Sequence, residues 1–120
     1  LLFTAGQLPM VGGKLVATGK VPSRVPLEQA QEAARQAVLN ALGAIRSEAG
    51  SLDNVRHMVR LNVYVNSDPD FIDQAKVANG ASELLQEVFG APGRHTRCAV
   101  GVAALPLDAP VELDLIVEAV

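Results

Sequence analysis

Apolar and polar residues alternate through residues 55–66, VRHMVRLNVYVN, and this period of two predicts a β-strand. One face of the predicted strand is apolar and carries His57 and Leu61. The other face carries Met58 and Tyr64 among polar side chains. A strand of this kind buries its apolar face and leaves the other face to solvent or to a partner.

Two more alternating runs, at 97–103 and 111–118, predict strands near the C terminus that are joined by LPLDAP. If LPLDAP closes an ordinary hairpin, these two strands pair with each other directly. In the first run, the alternation directs Cys98 towards the core and Arg97 away from it. The apolar face of the second run consists of Val111, Leu113, Leu115 and Val117.

Two helices are predicted between these strands. Pro26 at a first helical position predicts the start of the first helix, and Gly50 predicts its end. A second helix is expected over 69–89, with Asp68 as its cap. Gly80 lies in the middle of this helix, where a glycine costs about 1 kcal/mol relative to alanine.

The first twenty residues predict a short strand, LLFTAGQLP, and a hairpin with a Gly-Gly turn, VGGKLVATG. Both helices should cover the apolar faces of the strands, which gives an α+β fold: a two-layer sandwich with a mixed sheet and two helices on one face. A chain of 120 residues is long enough for one core, so we expect a single domain over 1–120. Because LLFTAG already has the pattern of a strand, we also expect a short N-terminal segment to be missing.

Charge and composition narrow the possible partners. The net charge is −3 and the ten Lys and Arg residues form no basic run, which argues against binding to nucleic acid. No apolar stretch approaches the roughly 20 residues of a membrane-spanning helix. A single cysteine cannot form an internal disulfide, which suits a cytoplasmic location. Two His and one Cys without ligand spacing predict no metal site.

Arg97 is the sharpest chemical signal, because a guanidinium at the start of a buried strand is costly unless it is paired. A bidentate clamp on the carboxylate of a ligand would explain it. An ion pair with Glu112, Asp114 or Glu118, either between strands of one chain or between subunits, would explain it equally well. Ala99 and Gly101 follow on the same face, and their small size predicts a hollow beside the guanidinium.

Glu112 is a candidate general acid/base or holder of water, although a solvated or ion-paired strand carboxylate is the more common role. In a hairpin it would fall four or five residues along the ladder from Arg97, or roughly 13 to 17 Å at about 3.3 Å per residue. A site that uses both residues then needs a bulge, a neighbouring subunit or a water chain. The sheet face away from the helices mixes apolar, small and charged residues, as oligomer interfaces do. We expect Cys98 and His57 to be buried, and His95 is assigned no role.

The segment TRCAVGVAALPLDAPVELDLIVEAV resembles the RidA (YjgF) family through its R-x-x-V-x-V-x-x-L-P…V-E pattern, and GQLP and PDF fit the same family. The resemblance spans essentially the whole chain. It implies a chorismate-mutase-like fold, assembled as a homotrimer with clefts between subunits. It also implies hydrolysis of reactive 2-imino and enamine acids such as 2-aminoacrylate to a 2-keto acid and ammonia, with no cofactor and no metal.

The resemblance also implies which residues form the cleft. The carboxylate-binding arginine of the family matches Arg97, and its water-positioning glutamate matches Glu112. An asparagine and a glycine that contact the substrate match Asn79 and Gly6. Another substrate-binding position, a cysteine in many members, is occupied here by Ala99.

Two departures from the family keep other functions open. The serine that precedes the family's glycine is Ala5 here, and the cleft cysteine is Ala99. The alternative is therefore a non-catalytic trimer that binds or senses a small carboxylate. Ribonuclease and translation inhibitor are further labels within the family, and the acidic charge balance argues against both.

Overall fold

A computed structural model describes residues 1–120 and contains six strands and two long helices. In chain order these are β1 (Leu2–Phe3), β2 (Met10–Val11), β3 (Lys14–Leu15), α1 (Leu27–Ala49), β4 (Val55–Asn66), α2 (Gln74–Phe89), β5 (Thr96–Val102) and β6 (Val111–Ala119). Short 3-10 helices cover Leu52–Asn54, Ala91–Gly93 and Pro106–Asp108. Both long helices pack on one face of the main sheet, so the predicted two-layer α+β sandwich is confirmed.

The main sheet has the strand order β1-β6-β4-β5, and β2 and β3 form the predicted Gly-Gly hairpin beside it. Strand β4 pairs in parallel with β5 and antiparallel with β6, which confirms a mixed sheet. The predicted hairpin between the last two strands is wrong, because β4 lies between β5 and β6. A parallel pair needs a long crossover connection, and α2 supplies it between β4 and β5.

The predicted alternation of the long strand holds over its second half and fails over its first. Leu61 is fully buried, as expected. The register with β6 shifts by one residue between Met58 and Arg60, so Val59 is an extra residue and the alternation changes face there. The predictions for Met58 and His57 are therefore wrong: Met58 is fully buried and His57 is exposed.

Small residues allow the two helices to pack closely. The buried face of α1 is largely alanine: Ala30, Ala33, Ala34, Ala37 and Ala41 are all fully buried. Helix α2 passes so close to α1 that a Cβ atom on Gly80 would collide with the carbonyl oxygen of Gln31. This contact explains a glycine at a helical position that propensity alone disfavours.

The ends of α1 match the prediction to within one residue, since Pro26 caps the helix rather than starting it. The start of α2 is wrong by five residues, because the helix begins at Gln74. Asp68 does not cap it. Its carboxylate instead accepts hydrogen bonds from the backbone N–H and the hydroxyl of Ser23, at 2.8 and 2.9 Å.

Buried apolar residues form one cluster of 23 residues between the helices and the sheet, and the predicted apolar face of β6 lies within it. The opposite face of the sheet, here called the outer face, is not covered. Cys98 and Val100 are exposed on it, and the prediction that Cys98 is buried is therefore wrong. Neither helix is long and apolar enough to cross a membrane.

Candidate functional site

Arg97 lies at the start of β5, and its side chain is directed towards α2. Its Nη1 donates hydrogen bonds to Oδ1 of Asn79 at 2.8 Å and to Oγ of Ser82 at 3.2 Å. The prediction that Arg97 faces away from the helices is wrong. Its pairing partner on β4 is the buried Leu61, and paired residues of neighbouring strands share a face of the sheet.

The charge of Arg97 is not neutralised within the chain. The two salt bridges of the structure, Arg35–Glu87 and Lys76–Asp73, both lie elsewhere. Both acceptors on Nη1 are neutral groups, and Nε and Nη2 make no hydrogen bond to the protein. Of the explanations that the sequence left open, an ion pair with an acidic residue of the last strand in the same chain is therefore wrong, whereas an ion pair across a subunit boundary stays a prediction.

Beside Arg97 is an open groove of about 560 Å³ between α2 and the residues that lead into β5. The hollow beside Arg97 was predicted from the small side chains that follow it, but the groove is not formed by them. Ala99 packs against the core and does not line the groove. Gly101 lies against Ser67 and Gln74, farther along the strand. The groove is lined only by polar residues: Asn79, Ser82, Glu83, Gln86, Arg94, His95 and Arg97.

Two residues of this groove contact each other although the sequence pattern assigns a role to neither: it does not single out Ser82, and it leaves His95 without a role. Ser82 is only 8% exposed, and its Oγ lies 2.9 Å from Nε2 of His95. Nδ1 of His95 lies 2.7 Å from the carbonyl oxygen of Gly93. One signal could have identified Ser82: it follows Asn79 by three residues, which places both side chains on one face of the helix.

Glu112 and Gly6 are adjacent to each other and distant from the groove. Glu112 alternates with the buried residues of β6, so its side chain is on the outer face. Gly6 lies directly against it, and a Cβ atom at this position would collide with the carboxylate. The bridge between Gln7 and Leu113 holds the N-terminal segment in this position.

The structure thus divides four of the five predicted site residues into two groups, and Ala99, which packs against the core, belongs to neither. The Arg97 half-site consists of Arg97 and Asn79, and the Glu112 half-site consists of Glu112 and Gly6. The residues of β4 that pair with Arg97 and Glu112 are Leu61 and Tyr64, three positions or about 10 Å apart. The two half-sites are also on opposite faces of the sheet, so a small acid cannot contact both within one chain.

No three His, Cys, Asp or Glu side chains are grouped closely enough to hold a metal ion. The chemistry that the Arg97 half-site itself offers is recognition of an anion: a planar guanidinium, held at one nitrogen by neutral acceptors, with its remaining donors open to a polar groove.

Solved structures share this arrangement of helices and strands. Atu1372 of Agrobacterium tumefaciens, a protein of unknown function, superposes with a TM-score of 0.96 at 44% identity, over 98% of this chain and 75% of that chain. TdcF of E. coli, solved with bound serine, superposes with a TM-score of 0.62 at 27% identity, over 96% of this chain and 77% of that chain.

Sequence comparison agrees with the structural likeness. Protein TCP17 of Trypanosoma cruzi is 48% identical over an alignment of 120 residues, and the alignment covers 98% of this chain and 74% of that protein. The family described as "YjgF/chorismate mutase-like, putative endoribonuclease" matches residues 1–119. The chain therefore belongs to the YjgF/chorismate-mutase-like family.

Proposed function

We propose that the protein is a hydrolytic deaminase of reactive 2-imino and enamine acids such as 2-aminoacrylate, with a 2-keto acid and ammonia as products. The observation that carries the proposal is the unpaired guanidinium of Arg97 in a polar groove. A carboxylate is the ligand group that matches the geometry of its free donors. TdcF, which has a related fold, was solved with bound serine, a small molecule that carries a carboxylate.

We also propose that the functional unit is a homotrimer in which the Arg97 half-site of one subunit faces the Glu112 half-site of the next. The separation of the two half-sites within one chain supports this arrangement, because only a second copy can bring both to one ligand. The uncovered outer face supplies a surface for such contacts. The lone cysteine suits a reducing compartment, and we place the trimer in the cytoplasm.

In this assembly each half-site has a separate task. Arg97 binds the substrate carboxylate and orients C2, while Glu112 of the neighbouring subunit accepts a hydrogen bond from the attacking water. An enamine such as 2-aminoacrylate first isomerises to the 2-imino acid, as C3 takes up a proton and the amino nitrogen releases one. The water oxygen then bonds to C2, and one water proton moves to the imine nitrogen. When the C2–N bond of this adduct breaks, the second water proton also moves to nitrogen, so the products are the keto acid and ammonia.

The proposal is tested with 2-aminoacrylate generated from serine by a pyridoxal-phosphate dehydratase, in the presence of semicarbazide as a competing trap. We expect wild-type protein to divert the intermediate to pyruvate, and Arg97→Ala to abolish the diversion without changing the oligomer. The matched control is Arg46→Ala, an exposed arginine near the end of α1. Wild-type protein that accelerates the hydrolysis of no small 2-imino acid would contradict the proposal.

A second candidate is a non-catalytic trimer that binds or senses a small carboxylate at the same groove. Ala5 and Ala99 favour it, because they replace a hydroxyl and a thiol of the resembled family. Ala99 packs against the core and does not line the groove, so this position offers no chemical group to a ligand there. Calorimetry that shows binding of 2-oxobutanoate by a protein without imine turnover would select this candidate.

A further inference from the structure

His95 and Ser82 form a hydrogen-bonded chain that ends at Arg97. The carbonyl oxygen of Gly93 can only accept, so Nδ1 of His95, at 2.7 Å from it, carries the proton. In the neutral imidazole, Nε2 is then an acceptor. The hydroxyl of Ser82, 2.9 Å from Nε2, donates to it.

The hydrogen bonds from Gly93 through His95 to Ser82 fix the orientation of the Ser82 hydroxyl. Its hydrogen is directed at His95, so its lone pairs are available to Nη1 of Arg97, at 3.2 Å. Oδ1 of Asn79 is the second acceptor on the same nitrogen. Nη1 has two hydrogens, and two acceptors therefore satisfy both, which sets the plane of the guanidinium.

We propose that His95 is a positioning residue that acts through the Ser82 hydroxyl to orient Arg97 for its ligand. The inference rests on the proposed function in one respect, namely that the ligand of Arg97 is a small carboxylate. An arginine side chain has several rotatable bonds, and a free guanidinium has to be ordered when the ligand binds. The hydrogen-bonded chain orders it beforehand.

A nucleophilic Ser82 activated by His95 is the competing interpretation of the same distances. Two observations favour positioning. Ser82 is only 8% exposed, and the oxygen that would attack already accepts a hydrogen bond from Nη1 of Arg97. As a nucleophile, Ser82 would be indispensable for turnover, whereas as a positioning group it affects mainly the affinity for the carboxylate.

The test is calorimetric binding of 2-oxobutanoate to the assembled protein and to variants with confirmed thermal melting. We expect Ser82→Ala and His95→Leu each to weaken binding about tenfold, and the double variant to be no weaker than either single variant, because both act through one hydroxyl. His95→Gln retains an oxygen near the position of Nε2 and should bind like wild type. The matched control is Ser47→Ala, at an exposed position outside the groove.

The outcomes separate this inference from the proposed function. Binding that is lost in Arg97→Ala but unchanged in Ser82→Ala and His95→Leu overturns the positioning role and leaves the carboxylate site intact. Additive losses in the double variant also overturn it. A Ser82→Ala variant with normal affinity and no imine turnover would instead identify Ser82 as a nucleophile. Wild-type protein that binds no 2-oxobutanoate contradicts the carboxylate site itself.

Discussion

At the scale of single residues, the site depends on how Arg97 is held. A carboxylate partner would fix the guanidinium firmly but would also cancel the charge that recognises an anion. The neutral oxygens of Asn79 and Ser82 fix it without cancelling the charge. Arg97 therefore keeps its positive charge and can bind an anion, although the net charge of the protein is −3.

Asn79→Asp tests this interpretation directly. The substitution changes almost no volume but places a carboxylate 2.8 Å from Nη1 of Arg97. It would compete with the ligand for the guanidinium, and we expect the affinity for 2-oxobutanoate to fall about tenfold or more. The control Gln29→Glu adds the same charge at an exposed position of α1 and should leave the affinity unchanged. Equal affinity in Asn79→Asp would mean that the ligand does not contact Arg97.

The sequence pattern predicted Arg97 and Glu112 as site residues, and the family resemblance added Asn79, Gly6 and Ala99, but the alternation placed Arg97 on the wrong face of the sheet. Alternation along β5 says which residues share a face, and it does so correctly for Arg97 and Ala99. It does not say which face meets the helices. Arg97 faces the helices because it pairs with the buried Leu61 of β4. This contact is long-range in the sequence, so the local pattern does not contain it. The contacts of His95 could not be predicted for the same reason, since its partners lie on another element and in the preceding turn.

At the scale of elements, periodicity predicts the helices and strands more reliably than their connections. The long strand at 55–66 and the end of α1 coincide with the structure because alternation and a terminal glycine are local signals. The six residues LPLDAP suggested a hairpin, yet they carry the chain past β4. Leu107 and Asp108 in this connection both have φ of 59°, and for a leucine this left-handed conformation is too uncommon to be predicted from the sequence.

Gly80→Ala tests the close packing of α1 and α2. Helix propensity alone predicts that alanine stabilises α2 by about 1 kcal/mol. Because the new Cβ atom would collide with the carbonyl oxygen of Gln31, we expect destabilisation by about 1–3 kcal/mol in urea unfolding. Gly43→Ala is the matched control: it is exposed on α1, nothing lies near its Cβ position, and it should be neutral or stabilising. Equal stabilisation by both substitutions would contradict the close approach.

At the scale of the whole molecule, the uncovered outer face of the sheet is the feature that a single chain leaves unexplained. Val100 lies on it and is 41% exposed. In the proposed trimer this face is an interface, so Val100→Asp should reduce the mass measured by light scattering from three chains to one and abolish imine turnover. Val88→Asp, at a valine that is 45% exposed on α2, should leave the trimer intact. A Val100→Asp variant that stays trimeric would exclude this face as the interface.

Complementation between two inactive variants tests whether each cleft is shared. In a closed ring of three, every cleft takes Arg97 from one subunit and Glu112 from the next. Arg97→Ala and Glu112→Ala should each be inactive as pure trimers. After subunit exchange in an equal mixture, a cleft is intact when its Arg97 comes from one variant and its Glu112 from the other, so about one quarter of the clefts should recover activity.

The recovered fraction distinguishes shared clefts from sites within one chain. If Arg97 and Glu112 acted in the same chain, no mixture could restore an intact site, and activity would stay absent. Exchange itself is verified by mixing each variant with wild-type protein and following the mixed species by native mass spectrometry. Because the half-sites lie on opposite faces of one sheet, we expect recovery, and its absence after verified exchange would contradict the shared cleft.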